Sequence, residues 1–501
     1  LDKRPPRLFP AFFCAAVVFL VFIPALGRAS QEVEKEPNGV IIKLPDGFLK
    51  VQFYSDSIVR VAFAKDSNFF KRKTIDVVAS PAPDIQWALE SSPEGWRLKG
   101  KALMVSIDRS TGDIRFLDTK GFPILTEDSR QLDPAQVQGE KTFHVRQQWW
   151  DNPDESLYGL GQQQFGILDL KGYDLDLWQH NTNVAIPFLV SSGGYGILWD
   201  NTSFTRFGDL RDFAPIPSED LLNKDHVAGG LTVGPLEDSG PSSQNADLDI
   251  NFKPTKEARN APGKTWEGFL KAPLSGDYQL DCYSNGGLKV WLDGKLVMEH
   301  WRQGWLSDHD RAKTPLAAGK IYPLKIEWDT EQGTRLNFLW KAPMPNGSNS
   351  AKKIYQASPD LIDIAIPSSQ KNVTSDYQQT LGVETKKVIS LPYSVSGPDE
   401  TSSTNKTSLW SEVADGTDYY FVYGPELDKV VAGYRFLTGQ APLMPSWAFG
   451  LWQSRQRYET AQQSLDAVDG FRSRQIPFDN IVQDWRYWAD GTWGSHRFDP
   501  A

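Results

Sequence analysis

The stretch PSWAFGLWQSRQRYETAQQSLDAVDGFRSRQIPFDNIVQDW at residues 445–485 decides the fold. Its first part, Trp447-Ala448-Phe449-Gly450-Leu451-Trp452, is a mostly apolar run, the pattern of a parallel strand buried on both faces. Ala461, Leu465 and Val468 then recur at helical spacing within Thr460–Arg474, and Pro477 ends that helix. Phe478 to Val482 is a second apolar run. Strand, helix, strand predicts a βαβ unit, the opening of an α/β barrel or of a doubly wound sheet. A complete barrel takes roughly 250 residues, far more than Ser446–Ala501 supplies, so a truncated barrel is expected.

Upstream the pattern is different. From Gly39 to Thr126, short alternating runs such as Phe48-Leu49-Lys50-Val51-Gln52-Phe53 and Ile58-Val59-Arg60-Val61-Ala62-Phe63 are separated by Asp, Ser, Pro and Gly turns. This predicts an antiparallel β-sandwich over 31–224. A second β-rich unit is expected at 225–357, where Leu288-Lys289-Val290-Trp291-Leu292 is closed by the hairpin signal Asp293-Gly294. Residues 358–408 are rich in Ser, Thr, Asn, Lys and Pro and read as a polar connection. Asp418-Tyr419-Tyr420-Phe421-Val422-Tyr423-Gly424 resumes the β pattern, so 409–441 is read as the return of the first sandwich and 442–501 as the start of the barrel. The fold class is therefore multidomain and mainly β: a sandwich, a second sandwich inserted in it, and the first strands of a (β/α)8 barrel.

Composition narrows the function. With 40% hydrophobic and 23% charged residues the chain is a folded protein, and a net charge of −10 with no basic block in the mature region disfavours a nucleic-acid partner. The 18 Trp supply flat apolar rings with a polar edge, suited to stacking on a neutral, hydroxyl-rich ligand; core packing is the commoner use of such residues. Lys3, Arg4 and Arg7 precede an apolar run from Leu8 to Leu26 and the small-residue exit Gly27-Arg28-Ala29-Ser30. That is a signal peptide over 1–30, predicting a secreted or periplasmic protein. The run approaches the length of a membrane span, so an uncleaved membrane anchor is the alternative. Cys14 lies in this segment, which leaves Cys282 as the single mature thiol and no intrachain disulfide. The start at Leu1 and the stop after Phe498-Asp499-Pro500-Ala501 both read as breaks in a longer protein.

Three groups of segments together resemble glycoside hydrolase family 31, the α-glucosidase and α-xylosidase family. They are Tyr158-Gly159-Leu160-Gly161-Gln162 with Ala185-Ile186-Pro187-Phe188 and Gly194-Tyr195-Gly196-Ile197-Leu198; Pro445 to Trp452; and Ile481-Val482-Gln483-Asp484-Trp485 with Trp493-Gly494-Ser495-His496. The insert resembles the protective-antigen-type β-sandwich module, on Gly276-Asp277-Tyr278 and Ser284-Asn285-Gly286-Gly287. The resemblance implies a retaining exo-acting α-glycosidase whose two catalytic aspartates come from later barrel strands, beyond Ala501, so no catalytic residue is assigned and this length of chain is expected to be inactive. It implies substrate binding by Asp484, which follows the second barrel strand where barrels build their sites. Left alone, an Asp after a strand is more often a turn or helix cap. Trp485, with Tyr487 and Trp488, would fill the space of the sugar's hydroxymethyl group and favour xylose; Trp452 and Gln453 at the end of the first strand are further pocket candidates, and Trp452 is equally readable as core. His180 and Asn181 match a sandwich loop that, in the family, reaches over the barrel mouth.

The partner expected is an oligosaccharide with terminal α-linked xylose or glucose, with xyloglucan fragments the first choice. An α-glucosidase or α-transglucosylase is the runner-up, and a non-catalytic carbohydrate-binding protein the alternative of another class. No cofactor and no metal are called for: the six histidines share no ligand spacing. Related modules hold calcium through adjacent aspartates, where this chain has Asn285-Gly286, too few carboxylates for six or more oxygen ligands. Calcium bound at a hundred times its Kd adds about 2.7 kcal/mol of stability. Calcium added to the chelator-treated chain should leave its melting temperature unchanged; a rise that chelator reverses would contradict this reading.

Overall fold

The computed structural model describes residues 33–498 apart from 151, 153, 164–165, 180–182, 212, 236–242, 246–248, 252–262, 302–307, 330–334, 344–405, 493 and 496. The signal segment and nearly all of the polar connection lie outside the described residues.

Two large sheets face each other in the first domain. One runs, in spatial order, Val33–Glu36, Gly39–Leu44, Gly47–Ser55, Ile58–Ala64, Gly416–Tyr423, Tyr195–Trp199, Val184–Ser191 and Leu157–Gln162. The other carries Lys406–Ala414 between Thr205–Phe207 and Glu140–Trp150. Between the sheets lie Val59, Val61, Phe116, Trp149, Ile197, Trp199, Tyr419 and Phe421, all buried in one core.

Gly416–Tyr423 is buried at every position but the last because both of its faces are covered. Tyr419 and Phe421 face the core, while Tyr420 and Val422 face a helix, Leu427–Thr438, through Val430 and Leu437. The sequence reading, which treats 409–441 as returning strands, misses this helix. Val430, Tyr434 and Leu437 form its inward stripe, and Gly439 ends it at φ +94°, a conformation that favours glycine.

The centre of the first sheet holds buried charges. Arg60 donates from Nε and Nη2 to the two carboxylate oxygens of Asp418 at 2.9 and 2.6 Å. Arg72 reaches the same carboxylate at 3.3 Å and the Asp200 carboxylate at 3.4 Å, and Thr74 donates to Asp200 at 2.8 Å.

The insert is a separate two-sheet sandwich with its own core, including Trp266, Tyr278, Val290, Ile326, Trp328 and Phe338. It begins earlier than the expected boundary at Asp225: Ala214–Pro215 pairs with Arg335–Lys341, Leu221–Leu222 pairs with Lys264–Lys271, and Ile216 and Leu221 lie in the insert's core. Short two-residue strands in a Pro-containing stretch carry no alternation long enough to show this in the sequence. One sheet of the insert docks on the first domain through charge. Lys341 Nζ lies 2.6 Å from Asp174 Oδ2 and donates to Asp209 O at 2.9 Å, and Arg211 Nη1 donates to Ala342 O at 2.9 Å. Arg311 donates to Asp174 O and, at 2.8 Å, to Asp281, which His309 also contacts at 2.9 Å. Burial would raise the Asp281 carboxyl, but His309 and Arg311 outweigh it and hold it at about 2.

After the helix, Ser446–Phe449 forms a 3-10 turn and Trp452–Arg455 the first strand. The apolar run at Trp447–Trp452 is thus not a strand buried on both faces: Trp447 is 47% exposed and Trp452 46%. Gly450 lies so close to Asp479 that a Cβ would stand 1.8 Å from its carboxylate oxygen, and Leu451 N–H donates to that carboxylate at 3.2 Å. The turn therefore abuts the entry to the second strand. The predicted order does appear: Trp452–Arg455, helix Ala461–Ser473, then Asn480–Gln483 paired parallel to the first strand. Thr460 caps the helix, its Oγ1 accepting from Gln463 N–H at 3.2 Å, while Gln463 Oε1 reaches back past the cap to accept from Glu459 N–H at 2.9 Å.

Asp200 gives the first domain a measurable pH dependence. Burial, and then the neighbouring Asp418 carboxylate, push Asp200 up to about 6 against the pull of Arg72 and Thr74. A folded-state value above the unfolded one of 3.8 means that the Asp200 contribution is fully present below about 3.8 and is lost as pH rises through about 6. At about 1.4 kcal/mol per tenfold change in proton affinity, the ionised group costs roughly 3 kcal/mol at neutral pH. Asp200→Asn, neutral throughout, should match the parent chain's melting temperature below about pH 3.5 and exceed it increasingly as pH rises to about 6, the difference levelling off above that. A difference independent of pH would refute this assignment.

Candidate functional site

The parallel pair runs in register, Trp452 beside Asn480 and Arg455 beside Gln483. Its C-terminal edge therefore presents Gln456, Arg457 and Tyr458 from one strand and Asp484 and Trp485 from the other. Trp485 N–H donates to Gln456 O at 2.8 Å, so the two strands stay joined one step beyond their ends.

Gln483 ties this edge together. Its Oε1 accepts from Tyr458 N–H at 3.0 Å, and its Nε2 donates to Tyr458 O and to Trp485 O, each at 3.2 Å. An amide is the side chain that offers donor and acceptor together, so it can satisfy both backbone groups of one facing residue. Sequence reasoning quotes Gln483 within the motif without giving it a role; the signal was an amide at the last position of a strand whose neighbour ends level with it.

Asp484 is exposed at this edge, and among the described residues its carboxylate makes no hydrogen bond or ion pair. The turn-capping alternative requires the carboxylate to accept a nearby backbone N–H, as Asp66 does from Asn68 at 2.9 Å and Asp118 from Lys120 at 2.8 Å. Asp484 accepts none from a described residue. Trp485 beside it lies between two guanidinium groups, Arg457 at 5.9 Å and Arg486 at 6.0 Å from its ring. Arg457 is paired to Glu459 at 3.1 Å, and Arg486, in the left-handed region at φ +53°, to Asp490.

The aromatic group after Asp484 divides. Tyr487 packs edge-on against Trp488 at 5.0 Å and near Phe498 at 5.6 Å, so these rings pack on their own loop, while Trp485 stays at the strand edge. Trp452 and Gln453 stand elsewhere. They open the first strand instead of ending it, which at about 3.3 Å per residue puts Trp452 roughly 13 Å from the level of Asp484. Trp452 Nε1 donates to Ala448 O at 3.1 Å and its ring faces Trp447 at 5.9 Å; Gln453 bonds to Ser454 O at 3.4 Å. The structure thus separates these two from Asp484, because the strand begins at Trp452, where the sequence pattern placed its end. His180 and Asn181 lie outside the described residues. The base of their loop is fixed by Gln179, which donates to Asn183 O at 2.6 Å and accepts from Ala185 N–H at 3.2 Å. Among the described residues no three His, Cys, Asp or Glu side chains stand together as metal ligands, and no helix is long and apolar enough to cross a membrane.

Comparison with known proteins agrees with this architecture. Residues 48–207 match the glycosyl hydrolase 31 N-terminal galactose mutarotase-like domain, residues 237–352 the PA14 domain, and residues 441–501 the glycosyl hydrolases family 31 TIM-barrel domain. The chain is 34% identical over 223 residues to an α-xylosidase of Saccharolobus solfataricus, covering 43% of this chain and 30% of that protein. It is 32% identical over 240 residues to the α-xylosidase XylQ of Lactiplantibacillus pentosus, covering 46% of this chain and 28% of the relative. The crystal structure of the family 31 α-xylosidase from Xanthomonas citri superposes with a TM-score of 0.70 at 30% identity, over 93% of this chain and 47% of that one. The chain therefore spans less than half the length of each of these proteins, and the family resemblance read from the sequence is borne out in all three of its parts.

Replacing Gln483 by Leu removes two hydrogen bonds between the two strand ends and a third to Trp485 O in its own segment, each worth about 0.5–1.5 kcal/mol. The amide proton of Tyr458 should then exchange with solvent at least tenfold faster, with amides in the distant sandwich core unaffected, as hydrogen exchange would show.

Proposed function

We propose that this chain supplies the substrate-binding edge of a retaining α-glycoside hydrolase acting on terminal α-linked xylose, with Asp484 accepting hydrogen bonds from sugar hydroxyls. The observation that carries the proposal is an exposed carboxylate at the C-terminal edge of a parallel strand pair, without a cap role among the described residues and with its backbone fixed on both sides by Gln483 and Trp485. Barrels build their sites on that edge. A carboxylate receiving hydroxyl donors forms the charge-assisted bonds that orient a neutral ligand.

Trp485 supports xylose over glucose: a bulky ring adjacent to the carboxylate, flanked by Arg457 and Arg486, leaves little space for a hydroxymethyl group. The similarity to two α-xylosidases points the same way. Retention requires a nucleophile and an acid/base carboxyl about 5 Å apart, and neither role is given to a residue of this chain, which by itself is proposed to be inactive. The protein is also proposed to act outside the cytoplasm, on the strength of the basic start and the apolar run at Leu8–Leu26.

The test is kinetic. The chain, joined in register to the C-terminal part of the Xanthomonas citri α-xylosidase, should hydrolyse aryl α-xyloside faster than aryl α-glucoside. In that enzyme Asp484→Ala removes one or two charge-assisted bonds of about 1.5–3 kcal/mol each, so kcat/KM should fall by about tenfold to several-thousandfold with the melting temperature preserved. Unchanged turnover with lowered stability would show that Asp484 is a cap after all.

A further inference from the structure

The insert meets the first domain along two short segments that run in opposite directions. From the first domain come Gly172, Asp174 and Asp176, alternate residues leading into and along the strand Leu175–Leu177. From the insert come His309, Arg311 and Lys313, alternate residues of Asp308–Leu316. A Cβ built on Gly172 would stand 2.3 Å from Lys313 Nζ, and Asp174 O accepts from Arg311 Nη1. Asp176 completes the row: burial would raise its carboxyl, but Arg206, then Arg311 and His309, outweigh it and hold it below the usual range. Leu175 and Leu177 point the other way, into the first domain's core, as the pleat of a strand requires.

This strand is weakly held by its own sheet. Among the described residues Leu175–Leu177 is an edge strand, hydrogen-bonded on one side, and it pairs over three residues with Thr205–Phe207. It belongs to the long connection between Gln162 and Val184, two residues that pair with each other in the first sheet. The connection leaves that sheet, adds one short strand to the second and returns to its starting point. A long loop of this kind is held by what it packs against.

The insert supplies that support. Lys341 Nζ is buried with the Asp174 carboxylate, the two side chains being 4% and 10% exposed, and it also meets Asp209 O and the Phe213 ring, the latter at 4.4 Å. All three partners precede the insert's first strand at Ala214–Pro215. Asp174 Oδ1 in turn accepts from Asp209 N–H at 2.5 Å. A buried carboxylate that loses its cation is left uncompensated, so Asp174 keeps its place with Lys341 opposite it. Two residues beyond the strand, Gln179 ties the same connection to Asn183 O and to Ala185 N–H.

We propose that the insert braces the first domain: Lys341 and Arg311 hold Asp174, so that the edge strand Leu175–Leu177 and the loop base at Gln179 keep their positions only while the insert is docked. The insert is thus a conformational element of the domain that carries it. The coupling is reciprocal, because whatever displaces the strand also loosens the insert's hold. Neither statement depends on the activity proposed for the barrel edge.

Hydrogen exchange of the whole chain, followed peptide by peptide, tests the brace. Lys341→Met leaves Asp174 buried without its cation, and exchange over 172–178 should rise by about tenfold or more. Gly416–Tyr423 and Ile321–Asp329, in the two cores, should exchange as in the parent chain. Asp174→Asn combined with Lys341→Met removes both charges, so exchange over 172–178 should fall between the parent and the Lys341→Met rates. That double variant decides the matter if Lys341→Met alone fails to fold, since its rate should still exceed the parent's. Leu175→Ala, which loosens the strand from its core side, should raise exchange in Asp308–Leu316 several-fold relative to Ile321–Asp329. The proposal is overturned by parent-like exchange over 172–178 in both Lys341 variants, by an equal rise in the two cores, or by exchange in Asp308–Leu316 that Leu175→Ala leaves unchanged.

Discussion

The first domain closes only when Gly416–Tyr423 enters between Ile58–Ala64 and Tyr195–Trp199, and the Arg60–Asp418 pair fixes how it enters. The two residues are 358 positions apart in the chain and meet side by side in a buried sheet. A slip of one residue would turn every side chain of the strand to the opposite face, separating Asp418 from Arg60 and moving Tyr419 and Phe421 out of the core. A buried pair of this kind contributes little net stability over apolar residues of equal volume, but leaving one member alone costs about 3–5 kcal/mol. Its effect here is to make every other register expensive.

The insert is compatible with that constraint because its own ends meet. Ala214, where it begins, pairs with Trp340 in its last described strand. A flexible excursion of about 200 residues would add roughly 5 kcal/mol of loop-closure entropy to bringing the returning strand home. A folded module whose entry and exit strands are hydrogen-bonded to each other replaces most of that excursion with a short span. The charges around Asp174, Lys341 and Arg311 then hold one face of the module against the first domain, which determines the face turned outward.

At the barrel edge the same principle works on a smaller scale. Gln483 and the bond from Trp485 N–H to Gln456 O hold two strand ends level, so the residue between them is presented by a fixed backbone while its side chain stays available. The position of Asp484 after the second strand was legible in the sequence because it follows an apolar run in a strand–helix–strand unit; a substrate role for it came only from the family resemblance. The level of Trp452 and Gln453 was not: the apolar run Trp447–Trp452 resembles a strand, yet Ser446–Phe449 turns and the strand starts only at Trp452. Apolar content alone does not distinguish a buried strand from a turn whose rings pack on one another, as Trp447 and Trp452 do.

The amino-acid sequence by itself determined the element types wherever a period was sustained: alternation in Phe48–Phe53 and Leu288–Leu292, helical spacing in Ala461–Val468, the Asp293-Gly294 turn, and from these the order of sandwich, insert and βαβ unit. Such periods are local and survive in one dimension. Tertiary structure alone decided that Asp418 faces Arg60, that Leu427–Thr438 is a helix covering the second face of the returning strand, that the insert starts by Ala214, and that Asp174 meets Arg311 and Lys341. Each of these joins residues far apart in the chain, and which partners meet depends on burial and charge satisfied only when both segments are already in place.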